Sequence, residues 1–143
     1  MSNRRLLTAV FAAAVAVLGA TQAFAQFGTT LRANIGFEFT AGMAKLPSGE
    51  YTINPASGVA QPLLSLRGEE RTAAAFLLTN SAYSVTPSDQ SKLVFHKYGD
   101  QYFLSEIWAA GDTRGWQVPA TKSERELSRR ATNYQVVTVL ARR

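Results

Sequence analysis

Apolar and polar residues alternate one for one along most of the chain after residue 26, and the 3.6-residue recurrence of an amphipathic helix is nearly absent. In LRANIGFEF, Leu31, Ala33, Ile35, Phe37 and Phe39 alternate with Arg32, Asn34, Gly36 and Glu38, which predicts one strand with a single buried face. Pro47-Ser48-Gly49 then makes a turn, Glu50 to Ile53 a short strand, and Asn54-Pro55 with Gly58 another turn. Leu63 to Leu66 and Thr72 to Leu78 flank Gly68-Glu69-Glu70 as the arms of a hairpin, and Ala82 to Ser91, with Pro87, Ser88 and Asp89, reads as a long loop.

One helix is predicted, near the C-terminus. Thr121 and Glu124 have the spacing of a capping box, in which the threonine oxygen accepts from the third helical amide and the glutamate returns the bond. Residues 122 to 130 follow as a helix with Glu126 and Arg130 four apart, and a valine-rich strand from Tyr134 to Ala141 closes the chain. The whole is all-β, a small antiparallel sandwich or partly open barrel of about seven strands with one short C-terminal helix.

KLVFHKYGDQYFLSEIW, residues 92 to 108, holds the chain's one histidine among aromatic and charged residues. Gly99-Asp100 sits between two runs of β-formers, and glycine suits the positive backbone angle of a two-residue hairpin turn. That register sets Tyr98 against Gln101, Lys97 against Tyr102, His96 against Phe103 and Phe95 against Leu104, so His96 shares a face with Val94, Phe103 and Ile107. Asp100 and Glu106 fall away from His96, while Ser105 lies diagonal to it. A serine–histidine pair without an orienting carboxylate or a nucleophile elbow is a weak basis for catalysis, and a histidine packed against the sheet accounts for the pattern.

Before residue 26 the pattern changes character. Arg4 and Arg5 precede an apolar run of 15 residues, Leu6 to Ala20, and Ala23-Phe24-Ala25 supplies the small residues a signal peptidase accepts. Residues 1–25 read as a signal peptide cleaved after Ala25, leaving 26–143 as a single β-rich domain that is periplasmic or extracellular. The run is shorter than the roughly 20 residues of a membrane-spanning helix, so no transmembrane segment is expected in the mature chain. The residues around Arg4-Arg5 match the twin-arginine signal poorly.

The mature chain lacks cysteine and has too few ligating residues for a structural zinc site, so its core has to stand without staples, and neither metal nor cofactor is implied. Its charge is uneven. Gln26 to Thr113 carries 6 basic and 8 acidic residues, and Arg114 to the end 7 basic and 2 acidic. Lys122, Arg125 and Arg129 share a side of the predicted helix and Arg142 and Arg143 form a tail, giving a basic surface suited to envelope polysaccharide or anionic lipid headgroups. Nucleic acid is not expected to meet an exported protein. Glu69-Glu70 sits on a turn from which two carboxylates diverge, and the Gly111 to Gly115 loop lacks the spacing of a phosphate cradle. Aromatic enrichment leaves Trp116, Trp108 and His96 as the ligand-binding candidates, Trp116 first because it follows a polar loop where part of the ring would be exposed.

IGFEFTAG followed by LPSGEYTI, FLLTN, KLVFHKYGDQYFLSEIW and SERELSR resembles a family of small exported proteins present in many copies in acidobacterial genomes. The resemblance covers nearly the whole mature chain, and it implies export and a shared fold without supplying catalytic residues. The function these features point to is a non-enzymatic envelope or secreted binding module; the alternative is a small hydrolase centred on His96. A concave site joining His96 to a carboxylate and a serine would favour the hydrolase, and an exposed aromatic platform or an apolar barrel mouth would favour binding.

Overall fold

A computed structural model describes residues 29–56, 63–70, 73–131 and 133–143. The expected signal peptide with its cleavage after Ala25, and the expected turn at Gly58, lie outside the described residues. No helix among the described residues is long and apolar enough to cross a membrane.

Among the described residues the structure is all-β with one helix. The strands are β1 (Leu31–Ile35), β2 (Phe39–Ala41), β3 (Ala44–Leu46), β4 (Gly49–Pro55), β5 (Leu63–Gly68), β6 (Ala74–Leu78), β7 (Asn80–Tyr83), β8 (Lys92–Tyr98), β9 (Gln101–Trp108), β10 (Arg114–Gln117) and β11 (Gln135–Arg142); the helix, α1, is Lys122–Arg130. They pair in the order β3-β2-β9-β8-β11-β1-β4-β5-β6, with β10 bridging β9 and β7. Every pairing is antiparallel except a short parallel contact at Thr40 and Phe103 between β2 and β9. Only Thr79 separates β6 from β7, so the chain itself carries the sheet from β6 round to β10 and β9. The result is a nearly closed barrel. Its one open seam lies between the path ends β3 and β6, where the β2–β3 turn leans on the gap and a Cβ on Gly42 would stand 3.2 Å from Leu77 Cδ2.

Among the described residues eleven strands replace the expected seven or so, because β2, β3, β7 and β10 run for only three or four residues, too few for alternation to show against turn residues. The expected strand from Leu31 to Phe39 breaks after Ile35. Leu31, Ala33 and Ile35 are buried as their spacing requires, and Phe39 is buried from a separate strand, β2, that pairs with β3 and β9. Inside the barrel Phe39 meets Tyr51 and Phe95 edge to face, with ring centroids 5.2 and 5.5 Å apart, and Leu64, Leu66, Leu93, Leu104 and Ile107 fill the remaining volume.

The hairpin β8–β9 turns at Gly99, whose φ is +59°. Its register matches the sequence reading from Tyr98–Gln101 through Phe95–Leu104, and then shifts: Val94 opposes Glu106. Ser105 is the extra residue of a bulge, and the bulge reverses the facing of everything beyond it. Ile107 is therefore in the barrel core, not on the His96 face where strict alternation places it, and Glu106 and Trp108 turn outward.

Candidate functional site

α1 begins where the capping box puts it. Thr121 is the N-cap and its hydroxyl accepts from the Glu124 amide at 3.3 Å; at the other end the Ala131 amide donates to the Leu127 carbonyl. Glu124 departs from the capping-box expectation. Its side chain, 8% exposed, reaches across to the sheet, where Oε1 lies 3.3 Å from His96 Nδ1. The carboxylate that sequence spacing assigns to the helix backbone thus serves as the tie between helix and hairpin.

This tie floors a cleft. The segment from Gln117 to Ala120 crosses above β9, held by a hydrogen bond from the Val118 amide to the Ser105 carbonyl at 2.8 Å. Between that segment, α1 and the outer face of β8–β9 lies a cavity of about 310 Å³ lined by His96, Tyr98, Ser105, Gln117, Glu124, Arg125 and Ser128, with Val118, Pro119 and Ala120 as its apolar wall. The His96 ring packs against Tyr134, centroids 4.9 Å apart, and Tyr134 against Tyr98 at 5.6 Å. Burial raises the Tyr98 phenol above the ordinary tyrosine range, and the nearby Glu124 and Tyr134 charges push the same way. Arg125 donates to the Ala120 carbonyl at 3.2 Å and leaves its other guanidinium hydrogens toward solvent and the cleft.

The three ligand-binding candidates do not share a pocket. His96 lines the cleft by α1. Trp108 lies toward the far end of the hairpin, in a separate depression of about 300 Å³ with Lys92, Val94, Glu106 and the loop from Ser84 to Asp89. Its ring is 8% exposed and its Nε1 donates to Glu106 Oε2 at 2.8 Å, so it offers no open stacking face. Trp116 lies in β10, not in a loop, and packs half-buried against the barrel core. Its position after a glycine-bounded loop is explained by pairing: Trp116 opposes Ile107 on β9 and Ser81 on β7.

Lys122, Arg125 and Arg129 are exposed on α1. Arg142 and Arg143 do not form a free tail: Arg142 ends β11 and pairs with Glu50 at 2.8 Å, and Arg143 donates to the Ala110 carbonyl at 2.7 Å. Among the described residues no cluster of three or more His, Asp or Glu is placed to hold a metal ion. The cleft residues that sequence reasoning missed are Glu124, Gln117 and Ser128. Glu124 carried a signal, since a carboxylate at the third helical position either returns to the cap or is free to bond elsewhere. No protein-family model matches the chain, and neither a curated protein nor a solved structure matches it.

Proposed function

We propose that the protein is an exported, non-enzymatic binding module that takes a small hydroxyl-rich ligand, such as one sugar unit of an envelope polysaccharide, in the cleft beneath α1. The observation that carries this reading is the mixture of groups around that cavity: imidazole, hydroxyl, amide, carboxylate and guanidinium side chains converge beside a short apolar wall. Such a set both donates to and accepts from hydroxyls, and a volume of about 310 Å³ lies at the small end of the range of ligand pockets, which suits a single sugar unit. Export is supported by the leader-like first 25 residues and by the family resemblance. The exposed basic side of α1 adds attraction to acidic surfaces.

The test is titration of the mature chain with neutral and acidic monosaccharides and short oligosaccharides, followed by amide chemical shifts. The expected result is a saturable response centred on residues 96–105 and 117–128, abolished by Gln117→Ala with Arg125→Ala and retained by Arg129→Gln. No saturable response to any sugar, or one that the double variant leaves unchanged, refutes the reading.

The hydrolase reading retains one specific observation in its favour: Glu124 occupies the orienting position on His96 Nδ1, and Ser105 lines the same cleft. Against it, no hydrogen bond joins the Ser105 hydroxyl to the His96 ring, and Ser105 sits on a strand bulge instead of an exposed elbow. Labelling with a fluorophosphonate separates the two: modification at Ser105 that disappears in His96→Ala favours the hydrolase, and an unlabelled Ser105 favours binding.

A further inference from the structure

We infer that the outer face of β1, β4 and β5 is a second, independent binding surface, for a polysaccharide chain bearing carboxylates. The sheet register sets Arg142 beside Arg32, Arg32 beside Thr52 and Thr52 beside Arg67, a single row across four strands. Arg32, Thr52 and Arg67 point outward, because their neighbours along the strands, Leu31, Ala33, Tyr51, Ile53 and Leu66, are buried in the barrel, and the Arg142 side chain is itself largely exposed. Like charges set directly opposite on paired strands destabilise a sheet, so three arginines in one row call for counter-charge.

The chain supplies it only in part. Glu50 bonds Arg142 at 2.8 Å. All ten acidic residues of the chain lie among the described residues, and none forms an ion pair with Arg32 or Arg67. Glu50 and Glu69 line the same groove, Glu50 bonded to Arg142 and Glu69 pairing with neither arginine. Two guanidinium groups, rooted about 10 Å apart at two strand spacings, therefore face solvent over a groove of about 620 Å³.

The groove's other walls choose among anions. Thr52 and Asn54 lie between and beside the two arginines, and Asn54 Oδ1 already accepts from Thr30 at 2.6 Å, which leaves its amide hydrogens to donate. Phe76, 67% exposed, borders the same groove and offers a ring face to the apolar side of a sugar. Guanidinium forks for carboxylates, hydrogen-bonding groups between them and one aromatic face together suit an acidic oligosaccharide laid across the strands. A phosphate-rich surface would use the arginines and leave the rest idle. This surface and the cleft by α1 use different residues, so the failure of either leaves the other standing.

The test is binding of the mature chain to oligogalacturonate, with neutral dextran oligomers and phosphatidylglycerol vesicles as comparators, for the native protein and for Arg32→Gln with Arg67→Gln. Oligogalacturonate should bind saturably and weaken as salt rises from about 0.01 M to about 0.15 M. The double variant should lose roughly tenfold or more in affinity with its melting curve unchanged, since both side chains are exposed and each contact is charge-assisted. A Gln117→Ala variant should bind it as the native protein does. Absence of oligogalacturonate binding, equal binding of dextran, equal binding by the double variant, or tighter binding to vesicles overturns the inference.

Discussion

Gly115 is the most closely packed of the described glycines, and Gly115→Ala tests the packing of β10 on β9. Gly115 opposes Trp108 on β9, and a Cβ at Gly115 would stand 2.7 Å from Trp108 Cδ2 and Cε3 and 2.8 Å from the Ile107 carbonyl oxygen. Carbon atoms attract best near 3.5–4.0 Å, so the added methyl intrudes by about 1 Å on three atoms at once. None of the three yields easily. The indole is buried and anchored through Nε1 to Glu106, and Ile107 is a core residue whose carbonyl belongs to the sheet backbone. Overpacking of this kind costs about 1–3 kcal/mol, and displacing the indole weakens a hydrogen bond to a carboxylate by about 1 kcal/mol more. The loss of glycine's freedom in the unfolded chain returns only about 0.5 kcal/mol. The net expectation is a loss of about 2–3 kcal/mol, or a melting point lower by about 10 °C for a domain of this size. Urea and thermal melts followed by tryptophan fluorescence measure it. In the Trp108→Leu background the penalty should shrink, because the ring is gone, without vanishing, because the Ile107 oxygen remains. A native-like midpoint for Gly115→Ala, or the same penalty with and without the indole, would show that β10 does not pack on Trp108 in this way.

Gly99→Val isolates a different cost: nothing lies within 4 Å of the position its Cβ would take, so the loss comes from holding a β-branched residue at φ +59° and should be about 1–3 kcal/mol in chemical denaturation; an unchanged midpoint places the turn elsewhere. Tyr51 and Tyr98, both with phenols raised chiefly by burial, should ionise above the ordinary tyrosine range in an absorbance titration. Their folded values exceed the unfolded value of about 10, so the stability they contribute is complete below that pH and is lost as pH rises through the folded values; stability that stays flat across this alkaline range contradicts the assignment. Glu124→Ala should cost about 1–2 kcal/mol, with faster amide exchange through α1 and unchanged exchange in β8–β9; equal loosening of both would mean the carboxylate supports the hairpin itself.

The hairpin at Gly99 and the helix after Thr121 were legible because each is specified locally, by two-residue alternation around a glycine and by a cap three residues from its partner. The bulge at Ser105 was masked by that alternation, although Phe103, Leu104, Ile107 and Trp108 are apolar in adjacent pairs, a spacing that a regular half-buried strand does not produce. Trp116 is partly exposed, as its place after the polar loop suggested, but its strand was not legible because four residues leave too little pattern to separate it from that loop. The His96–Glu124 contact spans 28 residues and depends on where the helix is set down on the sheet, which no local spacing encodes. The arginine row is further from view: Arg32 and Arg142 become neighbours only once β1 and β11 pair, and Arg67 only through β4.

The barrel interior bears on where the proposed binding can take place. Phe39, Tyr51 and Phe95 meet edge to face at its centre, and the leucines around them are 0–2% exposed, so the barrel is a packed core and not an apolar cup. The two proposed sites accordingly use outward positions: the cleft where α1 is tied over β8–β9, and the groove across β1, β4 and β5. Inward and outward residues alternate along the same strands, so the two kinds of substitution separate cleanly. Replacing Leu66 or Leu104 by alanine opens a cavity and costs about 2–5 kcal/mol. Replacing Arg32, Arg67 or Gln117 removes side chains that are exposed and belong to no cavity-filling cluster, with an expected stability change within about 0.5 kcal/mol. A loss of ligand affinity in these outward variants then reports lost contacts with the ligand, because the barrel that presents them is held by residues they do not touch.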